Sequence, residues 1–113
     1  MGSVLGTSKT EADMDGPKAE FVKAQIKGNK VVIFSKSYCP YCTMAKEQFQ
    51  KLKFDYTSIE LDKRDDADEI QAILGEITGA RTVPRVFVNG QFIGGGTDVK
   101  KMYENGSLKN LLA

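Results

Sequence analysis

Apolar positions along this chain follow two rhythms, and the change from one to the other marks out the elements. From Pro17, Ala19, Val22 and Ile26 recur at helical spacing, and Gly28 fits the stop. Pro17 suits a first helical turn. Val31-Val32-Ile33-Phe34 is an unbroken, mostly β-branched run, which predicts a strand covered on both faces. Cys42, Ala45, Phe49 and Leu52 then form a stripe at spacings of 3, 4 and 3, a helix turned toward a sheet. Tyr56 to Leu61 reads as a second strand, with Ile59 and Leu61 on one side. Asp65, Asp66, Asp68 and Glu69 load negative charge onto a helix start. Ile70, Ile73, Leu74 and Ile77 are that helix's expected buried face, and Gly79 its end.

Next come Val86-Phe87-Val88 and Gln91-Phe92-Ile93, separated by Asn89-Gly90, a strong hairpin signal. Gly94-Gly95-Gly96 breaks the strand. Val99, Met102 and Tyr103 mark another helix, closed by Gly106. Ser107 is the expected cap of a last short helix, with Leu108, Leu111 and Leu112 inward. The order is α-β-α-β-α-β-β-α-α. A helix between the first two strands makes them parallel, and the last two are antiparallel. The prediction is an α/β domain: a four-stranded mixed sheet flanked by helices on both faces.

Composition narrows the class. A chain of 113 residues with 41% hydrophobic and 27% charged residues is one ordinary globular domain. A net charge of +1 gives no general pull toward nucleic acid or anionic lipid. No apolar stretch approaches the ~20 residues that span a bilayer. Residues 1–16 are rich in Gly, Ser, Thr and Asp, and read as a flexible tail ahead of a domain at 17–113. No signal-peptide core follows Met1. The expected setting is therefore cytoplasmic, with mitochondrial and nuclear pools left open.

The chemistry lies in the two cysteines, Cys39 and Cys42. The first follows a strand and stands at a helix start. Unpaired backbone N–H groups and the positive end of the helix dipole favour thiolate over thiol there, and the thiolate is the reactive form. The second lies one turn deeper and can close a small disulfide ring. Two Cys and no His are too few for a one-copy structural zinc site. In a reducing compartment such a pair is transient and catalytic.

Cys39-Pro40-Tyr41-Cys42, Thr82-Val83-Pro84 and Gly94-Gly95-Gly96-Thr97-Asp98, in this order, resemble a dithiol glutaredoxin across residues 17–113. The resemblance implies a thioredoxin-like fold, glutathione as co-substrate and no metal. It also implies thiol–disulfide exchange with glutathionylated or disulfide-containing proteins, by a monomer. Cys39 and Cys42 are then catalytic. Lys36 pairs with a glutathione carboxylate, Tyr41 lines the groove, and Gln71 reaches a carboxylate from the third helix. Thr82, Val83 and a cis Pro84 present backbone to the cysteine part of glutathione, like an added strand. Gly96 and Thr97 hold the γ-glutamyl carboxylate at a helix N-terminus, and Asp98 holds the ammonium. Asp98 also suits capping that helix. An alternative within the resemblance is a two-iron two-sulfur cluster held between two protomers by glutathione and the first cysteine of each. Pro40 goes with weak or absent cluster binding. A thioredoxin or disulfide isomerase is a third reading. It is disfavoured because Tyr38 stands where those proteins carry Trp, and the chain has none.

Overall fold

The computed structural model describes residues 11–113. Its elements are α1 (Pro17–Gly28), β1 (Val31–Ser35), α2 (Pro40–Lys51), β2 (Thr57–Glu60), a 3-10 turn (Leu61–Lys63) and α3 (Ala67–Thr78). They continue with β3 (Arg85–Val88), β4 (Gln91–Gly94), α4 (Gly96–Glu104) and α5 (Ser107–Leu112). The strands form one four-stranded sheet in the order β2-β1-β3-β4. β1 and β2 are parallel, while β1 with β3 and β3 with β4 are antiparallel. The mixed sheet is as predicted.

Every residue of β1 is buried, because the sheet is covered on both faces. Val32 and Phe34 point to one side and meet Ala19 and Val22 of α1 and Ile70, Ile73 and Leu74 of α3. Val31 and Ile33 point to the other and meet Ala45 and Phe49 of α2, Val99 of α4, and Leu108 and Leu112 of α5. The period-two alternation of a strand thus divides one apolar run between two half-cores. At the hairpin, Asn89 (φ 53°) and Gly90 (φ 80°) both take left-handed backbone, as a tight primed turn requires.

Several expectations need correction. Ile77 lies on the predicted face of α3 but is 38% exposed. It keeps the direction of Ile70 but sits in the final turn, just before the chain leaves through Gly79, where cover ends. Leu61 belongs to the 3-10 turn rather than to β2. Ser107 does not cap α5: Gly106 is the cap position, the Asn105 side chain accepts the Ser107 N–H at 2.9 Å, and the Ser107 hydroxyl donates to the Met102 carbonyl. Ser107 is already the first residue of the helix, and its hydroxyl turns back to Met102 instead of reaching over the open N–H groups further along. Residues 1–10 of the segment expected to be a tail lie outside the described residues. Of the remainder, Ala12 and Met14 pack against the α1–α3 half-core.

Candidate functional site

The site lies where β1 hands over to α2. Cys39 is the N-cap of α2, and Pro40 is the helix's first residue. Proline is harmless there, because a first-turn N–H has no partner within the helix. The extended backbone of Cys39 (φ −88°, ψ 119°) turns its sulfur over the open helix end, where it accepts the Cys42 N–H at 3.4 Å. The turn is fixed from both sides. The Cys39 N–H donates to the Lys36 carbonyl at 3.1 Å, and the Thr43 N–H and hydroxyl donate to the Cys39 carbonyl at 3.1 and 3.3 Å.

Cys42 occupies a different environment. It is fully buried, and its sulfur accepts the Lys36 N–H at 3.4 Å. Burial pushes its thiol up to about 11, against the opposing pull of the Lys36 N–H. Both cysteines are free thiols, with Cys39 half-buried. An accessible sulfur therefore sits over a helix N-terminus, with a protonated sulfur beneath it.

The second wall is the loop before β3. The Val83–Pro84 peptide is cis, as the resemblance implied. The Val83 carbonyl lies 4.0 Å from the Cys39 sulfur, at the outer limit of an S–H contact. Gln71, on α3, donates its amide to the Arg81 carbonyl at 2.8 Å and so steadies this loop. Arg85 holds the same loop from behind, donating to the Pro84 carbonyl, the Thr78 hydroxyl and the Thr82 hydroxyl at 3.2–3.3 Å. Its guanidinium lies over the Phe92 ring at 4.9 Å. Burial lowers its pKa, opposed by the nearby charge of Asp98.

The third wall is the N-terminus of α4. Gly96 is buried against α2: a Cβ there would come 2.5 Å from the Tyr41 carbonyl oxygen. Gly94 has φ 127°, a backbone that side chains rarely adopt. Thr97 and Asp98 are exposed, and the Asp98 carboxylate accepts the Gly95 N–H at 2.9 Å. Gly95 is the cap position, and Asp98, in the first turn, closes the helix end by reaching back to its N–H. Tyr41 is 56% exposed. Lys36 is half-buried, and among the described residues no carboxylate lies within ion-pair distance of its ammonium. Lys36, Cys39, Tyr41 and Cys42 belong to one turn and its helix. Thr82, Val83 and Pro84 approach through the Val83 contact, and Gly96, Thr97 and Asp98 through the Gly96 contact.

Sequence reading missed the residues that brace this arrangement. Asp62 accepts the Ser37 N–H at 2.9 Å and also the Ser37 hydroxyl. Those two bonds hold its carboxyl below the usual range. On β2, the Glu60 carboxylate takes Lys46 of α2 at 2.7 Å and the Ser58 hydroxyl. Burial works to raise the Glu60 carboxyl, but these partners and Ser35 outweigh it, and the net shift is downward. One signal for Asp62 was available. Two parallel strands end at the same edge, so the exit of β2 must lie beside the exit of β1. Among the described residues, no group of three or more His, Cys, Asp or Glu is arranged to hold a metal ion.

Known proteins resemble this one in sequence and fold. The glutaredoxin family model matches residues 31–93, from β1 through β4. Glutaredoxin-C4 of Arabidopsis thaliana is 50% identical over 105 residues, covering 93% of this chain and 78% of that protein. Mitochondrial glutaredoxin-2 of Bos taurus is 42% identical over 113 residues, covering 98% of this chain and 72% of that protein. Among solved structures, oxidized glutaredoxin 2 from Chlamydomonas reinhardtii superposes with a TM-score of 0.79 at 46% identity, covering 84% of this chain and 92% of that one. A buckwheat glutaredoxin–glutathione complex does so with a TM-score of 0.81 at 41% identity, covering 84% and 86%. The matches take in both cysteines and most of both chains, and this protein belongs to the glutaredoxin family.

Proposed function

We propose that this glutaredoxin exchanges thiols and disulfides with glutathione through unequal sulfurs, Cys39 attacking and Cys42 resolving. The observation that carries this reading is the contrast between them: Cys39 is accessible over a helix N-terminus, and Cys42 is buried with its thiol near 11. On a protein–glutathione mixed disulfide, the Cys39 thiolate attacks the glutathione sulfur. The protein sulfur leaves as a thiolate and takes up a proton, and Cys39 now carries glutathione. A second glutathione thiolate attacks that sulfur, releasing glutathione disulfide and regenerating the Cys39 thiolate. On a protein disulfide, Cys39 first forms a mixed disulfide with the protein. Cys42 then attacks the Cys39 sulfur and gives up its proton, and the expelled protein thiolate takes that proton up. Two glutathiones reduce the resulting Cys39–Cys42 disulfide.

The glutathione groove we propose runs between the loop at Val83 and the start of α4. The Val83 main chain, beside Cys39, suits the cysteine part of the tripeptide as an added strand. The open N–H groups at Gly96 and Thr97 suit the γ-glutamyl carboxylate. Lys36 and Gln71 would take the other carboxylate, with Tyr41, Thr82 and Pro84 lining the floor. Asp98 would take the ammonium, exchanging its cap bond for that partner. The buckwheat glutaredoxin crystallised with glutathione supports this choice of ligand. The cluster-bridged dimer is not favoured, because Pro40 stiffens the turn beside Cys39. We propose a monomer in a reducing compartment, where a thiol pair used for exchange stays available. No described helix is long and apolar enough to cross a membrane.

The test couples turnover of a small glutathione mixed disulfide to glutathione reductase and NADPH. Wild type should turn over. Lys36→Ala and Asp98→Ala should each raise the KM for glutathione, by roughly 1–3 kcal/mol in kcat/KM before solvent screening reduces it. Unchanged glutathione kinetics in both variants would contradict the groove.

A further inference from the structure

The described residues leave three large apolar side chains well exposed: Tyr38 at 71%, Tyr41 at 56% and Ile77 at 38%. Two of the three flank the nucleophile. Tyr41 faces the groove already described. Tyr38 has no role in that groove, and among the described residues its ring and hydroxyl make no hydrogen bond or ring contact. It is nevertheless presented on a fixed turn. Ser37 is bonded twice to Asp62, and the Cys39 N–H closes onto the Lys36 carbonyl. Both Asp62 oxygens accept from Ser37, so the carboxylate braces the turn that presents the ring.

We propose that Tyr38 is the docking surface for the protein half of a mixed disulfide, fitting a partner with an apolar side chain beside its reactive cysteine. This rests on the exchange reaction proposed above. In that reaction the attacking, central and leaving sulfurs align. With glutathione lying along Val83 and Gly96, the protein half of the mixed disulfide is left the surface around Cys39 that glutathione does not cover. Tyr38 is the aromatic on the rim that glutathione does not use, and it is continuous with the groove through Cys39. A rigid, two-torsion aromatic makes contact area at low entropic cost, and such rings carry much of the energy where proteins meet.

The experiment compares Tyr38→Ser and Tyr38→Phe with wild type on three substrates. One is a small glutathione mixed disulfide. The other two are peptides whose glutathionylated cysteine is flanked by leucines or by serines. Tyr38→Ser should lose about tenfold in kcat/KM on the leucine-flanked peptide, the effect of removing one aromatic anchor. It should keep wild-type turnover of the small substrate and lose less on the serine-flanked peptide. Tyr38→Phe should match wild type on all three. Equal turnover of the leucine-flanked peptide by wild type and Tyr38→Ser would overturn the docking surface. An equal loss on all substrates would too, because Tyr38 would then act on Cys39 or the fold. A loss in Tyr38→Phe equal to that in Tyr38→Ser would assign the effect to the hydroxyl and overturn apolar docking. Absence of wild-type turnover on every substrate would overturn the exchange reaction itself, and the docking role with it.

Discussion

At the scale of single residues, burial separates two chemically identical side chains. Cys42 is fully buried, and burial outweighs the Lys36 N–H and the Ser35 hydroxyl, which favour a negative sulfur. Its raised pKa sets two expectations. In Cys39→Ser, alkylation of Cys42 should stay slow through neutral pH and rise only above the ordinary thiol range, because burial is the largest cause of the shift. A midpoint at the ordinary thiol value of about 8.5 would contradict its burial. The second concerns stability. A group whose folded pKa is raised contributes stability that is complete below its unfolded value and is lost as pH rises through the folded one. Reduced wild type should therefore lose more stability than Cys42→Ala between the ordinary thiol range and about 11, measured by urea unfolding. Parallel curves for the two proteins would show that Cys42 does not titrate in this way.

At the scale of elements, the site depends on two helix N-termini meeting. α2 presents its N-cap sulfur, and α4 approaches so closely that Gly96 has no room for a side chain. Gly96→Ala would push a methyl against the Tyr41 carbonyl, which is backbone and cannot swing aside. The expected cost is about 1–3 kcal/mol, as for other overpacked positions. Because the displaced element carries Thr97 and Asp98, the KM for glutathione should rise as well. Thermal unfolding and steady-state kinetics check both, and wild-type values for both would refute the close approach. The 3-10 turn after β2 plays a comparable part from the other side, since it carries Asp62 to the loop before Cys39.

At the scale of the whole molecule, one buried charge ties the N-terminal helix to the rest. Asp66, 3% exposed, accepts Lys18 of α1 at 2.9 Å and two bonds from Arg64 at 2.8 and 2.9 Å. Arg64 first and Lys18 second hold its carboxyl well below the usual range, against the opposing effect of burial. Stability from a lowered carboxyl is complete above its unfolded pKa and lost as pH falls through the folded one. Asp66→Asn should cost about 1–3 kcal/mol at neutral pH, and its gap from wild type should narrow in acid. A gap independent of pH would assign the loss to packing. This ion cluster also marks the limit of what the sequence reveals. The cysteine turn, the Val83-Pro84 signature and the Asn89-Gly90 hairpin were legible because each is written in adjacent residues. The Ser37–Asp62 and Lys18–Asp66 bonds join residues 25 and 48 positions apart and follow from strand order and helix packing. Arg85 escaped notice because the fold brings its partners together: Pro84 and Thr82 on the loop before β3, and Thr78 at the end of α3. Ile77 and Ser107 were misread locally, one for lack of cover and one because the helix starts a residue earlier, with Gly106 at the cap position. The central claim, that one sulfur suffices for glutathione exchange while two are needed for protein disulfides, is tested most directly by assaying Cys39→Ser and Cys42→Ser on both substrates, with mass spectrometry of the products. Cys39→Ser should lose both activities. Cys42→Ser should keep or raise deglutathionylation, lose most disulfide reduction, and accumulate a glutathione adduct on Cys39. Equal loss of deglutathionylation in the two variants would contradict the account.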